Sequence, residues 1–144
     1  MASEKYSQYS HLLDRTARRV KQYAQRRFNE ENFDITVDQW LVIKNLNLHN
    51  DKNQSELAEL IGKDQPTFTR IADLLCKKGL IERKPHNTDR RSYIIHLTGE
   101  GKKKVAEWSP KMAEIRNKAW ENLTEDDYQD LRRILNTIYN NLNI

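Results

Sequence analysis

The run Gln54-Ser-Glu-Leu-Ala-Glu-Leu-Ile-Gly-Lys-Asp-Gln-Pro-Thr-Phe-Thr-Arg-Ile-Ala-Asp-Leu-Leu75 decides the fold. Asn53 and Glu56 form a capping pair for a short helix from Gln54 to Ile61, with Leu57, Ala58, Leu60 and Ile61 turned inward. Gly62 closes that helix in the manner of a C-terminal glycine. Asp64 caps the next helix, where Pro66 is tolerated because it falls in the first turn. This second helix packs Phe68, Ile71, Ala72 and Leu75 inward and ends at Lys77-Lys78-Gly79. Two short helices joined by a tight Gly62-Lys63-Asp64 turn make a helix-turn-helix.

The polar side of the second helix holds side chains that hydrogen-bond to bases. Gln65, Thr67, Thr69 and Arg70 lie off the apolar stripe and are expected to reach base edges in a major groove. Arg matches guanine, Gln matches adenine, and a Thr methyl suits thymine. Ser55 and Lys63, near the two helix starts, are expected at phosphates.

Downstream, Leu80 to Lys84 and Ser92 to Leu97 read as short strands of a hairpin, a wing whose tip carries adjacent Arg90 and Arg91. An exposed arginine on such a turn suits the enhanced negative potential of a narrow minor groove. Asp89 is expected to orient one of these arginines, since its carboxylate would repel a phosphate. Thr98 then caps a helix with Val105, Trp108, Met112, Ile115 and Ala119 on one face, and Pro110 predicts a kink or break near Ser109. Thr124 and Asp127 open a last helix through Tyr128, Leu131, Leu135, Ile138 and Leu142.

Upstream, Tyr9, Leu12, Leu13, Val20, Tyr23, Ala24 and Phe28 mark one amphipathic helix over roughly residues 6–28. At about 1.5 Å per residue it spans roughly 33 Å, too long for the core of so small a domain. Thr36 and Gln39 form a capping box for a helix through Trp40, Leu41, Ile43 and Leu46.

Composition agrees with a mostly α fold carrying a small β wing. The chain has 144 residues, 37% apolar and 32% charged, with four Gly and three Pro, which excludes a turn-rich β sandwich and a low-complexity linker. No window nears the roughly 18 unbroken apolar residues of a membrane span, and the start MASEKYSQYSH has no signal-peptide core. A cytoplasmic location is therefore expected, with no membrane partner. The net charge of +4 is segregated: residues 63–104 carry +6, whereas residues 29–62 carry −5. The basic block coincides with the second helix of the motif and the wing, as a polyanion-binding surface requires.

Gln54-Ser-Glu-Leu-Ala-Glu-Leu-Ile, Thr67-Phe-Thr-Arg-Ile, Lys78-Gly-Leu-Ile-Glu-Arg, Asp89-Arg-Arg and Leu97-Thr-Gly-Glu-Gly together resemble the MarR family of winged-helix regulators. The likeness is clearest from about Thr36 to Val105. It implies a single domain over 1–144, with a DNA-binding winged helix-turn-helix lobe over 36–100 and dimerisation helices over 1–30 and 105–144. It also implies a homodimer on a pseudo-palindromic operator in double-stranded DNA, acting as a repressor. A small, aromatic effector would bind between the dimerisation helices and the lobe, with Trp40, Tyr9 and Leu12 as candidate pocket residues. Some members sense peroxide through a cysteine in the N-terminal helix, and residues 1–28 here contain none.

Other chemistry is weakly supported. Cys76 is the lone cysteine, beside Lys77 and Lys78, and reads as inert. His11, His49, His86 and His96 lack metal-ligand spacing, so no metal and no cofactor are expected. Glu125-Asp126-Asp127 is the usual acidic complement of a helix start, and Lys102-Lys103-Lys104 is a solvated face or lies near phosphate. Trp40, Trp108 and Trp120 read first as core or dimer residues. No glycine-rich phosphate loop, nucleophile with a base, or metal triad points to an enzyme. The alternative function is a winged-helix module for protein contact without specific DNA binding.

Overall fold

The computed structural model describes residues 2–49, 52–85 and 93–144. In chain order they form α1 (Ala2–Glu30), α2 (Val37–Leu48), α3 (Gln54–Leu60), α4 (Gln65–Lys77), β1 (Ile81–Pro85), β2 (Tyr93–Leu97), α5 (Gly99–Lys118) and α6 (Glu125–Asn141). The chain is thus mostly helical with one small antiparallel sheet. All five capping side chains expected from the sequence do their work: Thr36, Asn53, Asp64, Thr98 and Thr124 each accept the backbone N–H three residues on. Gly62 and Gly79, with φ of 71° and 76°, end their helices in the left-handed region that a side chain would resist.

The core lies between α2, α3, α4, the sheet and the first three-quarters of α5. Val42, Ile43, Leu46, Leu57, Phe68, Leu75 and Ile95 are fully enclosed there. Burying a side chain such as Phe68 or Leu75 contributes about 1.5–3 kcal/mol. In the sheet Ile81 faces Leu97 and Arg83 faces Ile95 across the two strands. Ile81, Ile95 and Leu97 are its buried residues, while Glu82 and Tyr93 face solvent. The segment before α3 lies along β2 through a bridge between Asn53 and Ile94.

Three expectations change in the folded chain. Leu60 is half exposed instead of inward. In a helix of seven residues Leu57, Ala58 and Ile61 set the inward stripe, and a 3.6-residue period puts Leu60 roughly 100° from its centre. Pro110 does not break α5, which runs unbroken from Gly99 to Lys118. Ala106 and Pro110 both face solvent, so water can serve the carbonyl that Pro110 cannot. Buried Trp108, Met112 and Ile115 carry the opposite face through that point. Finally, α1 begins four residues earlier and ends two later than the 6–28 pattern suggested.

The two outer helices bury little within their own chain. Of α1, Phe28 joins the core and Tyr23 and Ala24 pack against it. Tyr6, Tyr9, Leu12, Leu13 and Val20 stay exposed, and α6 buries no residue at all. A Tyr128 hydroxyl bond to the Trp120 carbonyl, with the two rings edge to face, anchors the start of α6 on the end of α5.

The Leu97-Thr-Gly-Glu-Gly stretch joins the sheet to α5 at very close range. The Thr98 N–H donates to the Leu80 carbonyl at 3.1 Å, and its hydroxyl donates to the Gly79 carbonyl at 2.6 Å. A Cβ on buried Gly101 would sit on the Leu80 carbonyl oxygen, whereas one on Gly99 would meet nothing. Gly101→Ala should therefore destabilise the chain by about 2–3 kcal/mol, lowering Tm by roughly 5–10 °C. Gly99→Ala should leave Tm within about 2 °C, and calorimetry on both variants checks the pair.

Asp64 offers a pH test. Its carboxylate accepts from the Thr67 backbone N–H and hydroxyl, which holds its pKa below the ordinary aspartate value. A carboxyl with a lowered folded pKa stabilises the fold above its unfolded pKa, about 3.9, and loses that contribution as pH falls through the folded value. The Tm gap between the native chain and Asp64→Ala should be constant from about pH 7 to 5 and narrow below about pH 4. An equal gap at pH 3 and pH 7 would contradict the cap's charge.

Candidate nucleic-acid interface

The buried ridge of Phe68, Ile71, Ala72 and Leu75 fixes the rotation of α4, and so decides what its other side presents. Gln65 and Arg70 are exposed and Thr67 is half exposed. Arg70 points most directly away from the buried ridge, and Gln65 and Thr67 flank it on opposite sides. Thr69 is also half exposed, but its hydroxyl accepts from the Gln54 side-chain amide at 3.0 Å. It links α3 to α4 before it meets anything outside. Ser55 is exposed on the first turn of α3.

Lys63 stands in the turn, partly buried, with its Nζ 3.4 Å from the Asp38 carboxylate. Any phosphate contact it makes is shared with that pair. Lys104 is turned to its own helix, with its Nζ 5.3 Å from the Trp108 ring centroid and 3.8 Å from Glu107. Lys102 and Lys103 are exposed. Asp89, Arg90 and Arg91 lie outside the described residues, as does His86.

Arg83 is a functional candidate that sequence reasoning missed. It sits on β1, and its guanidinium donates to Asp73 Oδ1 at 2.6 Å and to the Thr69 carbonyl at 3.4 Å. The same group stands 3.9 Å from the Cys76 sulfur, which is half buried between α4 and β1. The wing strand is thereby pinned to the middle of α4. The Glu-Arg pair at 82–83 was legible as part of a motif, but a partner ten residues away on another element was not.

A second feature lies on the other side of α2. A cleft of about 320 Å³ opens between α1, α2 and α5, walled by Val20, Tyr23, Trp40, Met112, Ile115 and Trp120. Arg19, Lys44, Arg116 and Lys118 stand around these apolar walls. Burial, and then the charge of Arg116, lower the pKa of Lys44. Trp40 thus combines a core position with a face on the cleft. Tyr9 and Leu12 are not among its lining residues; they stand exposed toward the start of α1. Among the described residues, no group of three or more His, Cys, Asp or Glu is placed to hold a metal ion. Among the same described residues, no helix is long and apolar enough to cross a membrane.

Residues 35–93 match the model of the MarR family. S. aureus MepR, solved in complex with DNA, is 26% identical and superposes with a TM-score of 0.81 over 93% of this chain and 98% of its own. Streptomyces coelicolor Sco3205, a MarR-family transcriptional regulator also solved with DNA, is 18% identical, with a TM-score of 0.86 over 100% of this chain and 90% of its own. Bordetella bronchiseptica BpsR, whose DNA binding is regulated by 6-hydroxynicotinic acid, is 21% identical, with a TM-score of 0.80 over 92% and 98%. The capped helix-turn-helix, the pinned wing strand and the outlying helices give the chain the winged-helix fold of these solved proteins, with the MarR family model matched over residues 35–93.

Proposed function

We propose that the chain is a sequence-specific transcription regulator, a repressor that reads double-stranded DNA as a homodimer and is released by a small aromatic anion. The observation that carries this reading is the outer side of α4. A buried ridge holds the helix rigidly, leaving Gln65 and Arg70 exposed, and Thr67 half buried with its hydroxyl on the Asp64 cap, in the most basic segment of the chain. Side chains on rigid elements lose little freedom on binding, so they suit base recognition. The DNA complexes of MepR and Sco3205, proteins of the same fold, support it. Ser55 and Lys63 are assigned to phosphates, and Arg90 and Arg91, oriented by Asp89, to the minor groove.

The homodimer is supported by unpartnered apolar side chains on the outer helices. Tyr9, Leu12, Leu13 and Val20 of α1, and Ile134, Leu135, Ile138 and Leu142 of α6, stand exposed in a single chain. Contiguous apolar surface of that kind marks an interface. The lobe over 36–100 then reads DNA, and the segments 1–30 and 105–144 join the copies.

The effector reading rests on the cleft. Tyr23, Trp40 and Trp120 offer aromatic faces, and Lys44 and Arg116 offer positive charge at its edge. A ring with a carboxylate or phenolate satisfies both, and the heteroaromatic acid that regulates BpsR belongs to that class. Ligand in the cleft alters DNA affinity only as far as it binds one arrangement of α1 and α2 better than another.

Anisotropy with a labelled duplex from the region upstream of the chain's own coding sequence tests the DNA reading. Binding should be at least about 10³-fold tighter than to random duplex. Arg70→Ala should cost about 1–3 kcal/mol, and Arg91→Ala should lower the slope of log affinity against log salt by about 0.9. Binding no tighter than to random DNA, with neither variant altering it, would favour the module for protein contact instead.

A further inference from the structure

Both ends of α4 are tied to one short stretch, residues 34–39, at the entry to α2. At the leading end, Lys63 immediately precedes the Asp64 cap, and its Nζ lies 3.4 Å from Asp38 Oδ2. At the trailing end, the C-cap residue Lys78 donates to the Asp34 carbonyl at 2.7 Å and to Gln39 Oε1 at 3.1 Å. Gln39 is buried to 4% exposure, and the same oxygen accepts the Thr36 N–H at 3.1 Å. Local pattern accounts for Gln39 as a capping residue; its hold on Lys78 spans 39 positions.

The same stretch is gripped from the other side by α1. The Gln25 side-chain Oε1 accepts the Val37 N–H at 2.9 Å, and its Nε2 donates to the Ile35 carbonyl at 3.4 Å. One turn earlier, Lys21 Nζ reaches Asp38 Oδ2 at 2.9 Å, the oxygen that Lys63 also approaches. The Asp38 side chain is only 22% exposed, so its pairs are screened less than those of a surface carboxylate. Val20 and Ala24, the chain neighbours of Lys21 and Gln25, line the cleft opposite Val37 and Trp40. A displacement of α1 from α2 at the cleft must therefore stretch the bonds at residues 35–38.

We propose that Lys21 and Gln25 are positioning residues that set the orientation of α4 through a polar relay, with Asp38 as its shared junction and Gln39 with Lys78 as its second arm. The relay rests on the DNA-reading function above and supplies its missing link. Two anchors 15 residues apart, one at each end of α4, fix tilt as well as position. A shared carboxylate makes the link two-sided. When Lys21 leaves, Asp38 belongs to Lys63 alone, and the turn before α4 settles differently. Coupling of this kind appears as non-additivity in a mutant cycle, which spatial intermediacy by itself does not establish.

The full chain first selects a duplex from a random-sequence library. Affinity for that fluorescein-labelled duplex is then measured for the native chain, Lys21→Gln, Lys21→Arg, Asp38→Asn and the Lys21→Gln/Asp38→Asn pair, with melting curves for each. Lys21→Gln should alter affinity at least about threefold, and Lys21→Arg should restore most of it. With Asp38→Asn already present, Lys21→Gln should alter affinity by less than about 1.5-fold. Should Asp38→Asn fold poorly, the same cycle is run against Lys63→Gln. An equal factor in both backgrounds, or no effect of Lys21→Gln in the native one, overturns the relay alone. A selection that enriches no duplex overturns the DNA reading and the relay with it.

Discussion

The packing of Phe68, Ile71, Ala72 and Leu75 against the rest of the lobe is the contact on which everything else depends. It sets the rotation of α4 about its own axis, and a helix fixed in rotation has a defined outer face. Asp64 and Gly62 fix where that helix begins, and the Gly79 turn fixes where it ends. Rigidity is the useful property here. Base recognition needs donors and acceptors held to within a fraction of a hydrogen-bond length, and close packing supplies that without cost at the moment of binding.

Around this helix the chain divides its interactions by kind. Apolar contacts hold α4 against α2, α3 and β1, while polar contacts tie its flanks to neighbouring elements. Arg83 binds the wing strand to Asp73 and the Thr69 carbonyl, Gln54 binds α3 to Thr69, and residues 34–39 hold Lys63 and Lys78. Polar links are directional and reversible, which lets elements be positioned tightly and still be repositioned by a modest change in free energy. The outer helices follow a different rule. Their apolar side chains are left without cover in one chain, which is why a composition of 37% apolar residues suffices for so much helix.

Much of the fold was legible because its signals are local. Every expected cap is present, the α4 ridge is buried as its spacing demands, and the strands lie within a residue of their predicted bounds. What escaped was long-range or marginal. Leu60 looked inward because it is leucine, yet its angle in a two-turn helix carries it to the edge. Pro110 predicted a kink or a break, and α5 runs without a break because a proline on a solvent-facing stripe leaves the buried stripe intact. Lys63 and Thr69 had the right type for DNA contact, while their partners Asp38 and Gln54 lie 25 and 15 positions away, beyond any local pattern.

The homodimer proposed above would set its two α4 helices about one two-fold axis on DNA. Hydroxyl-radical footprinting of the full chain on its selected duplex tests that geometry directly, since each α4 should shield one major-groove face. Two protected half-sites of related sequence, with centres about 10 base pairs apart or a multiple of that, are the predicted result. A single protected half-site, occupied by one chain and lacking a symmetry-related second, would contradict it.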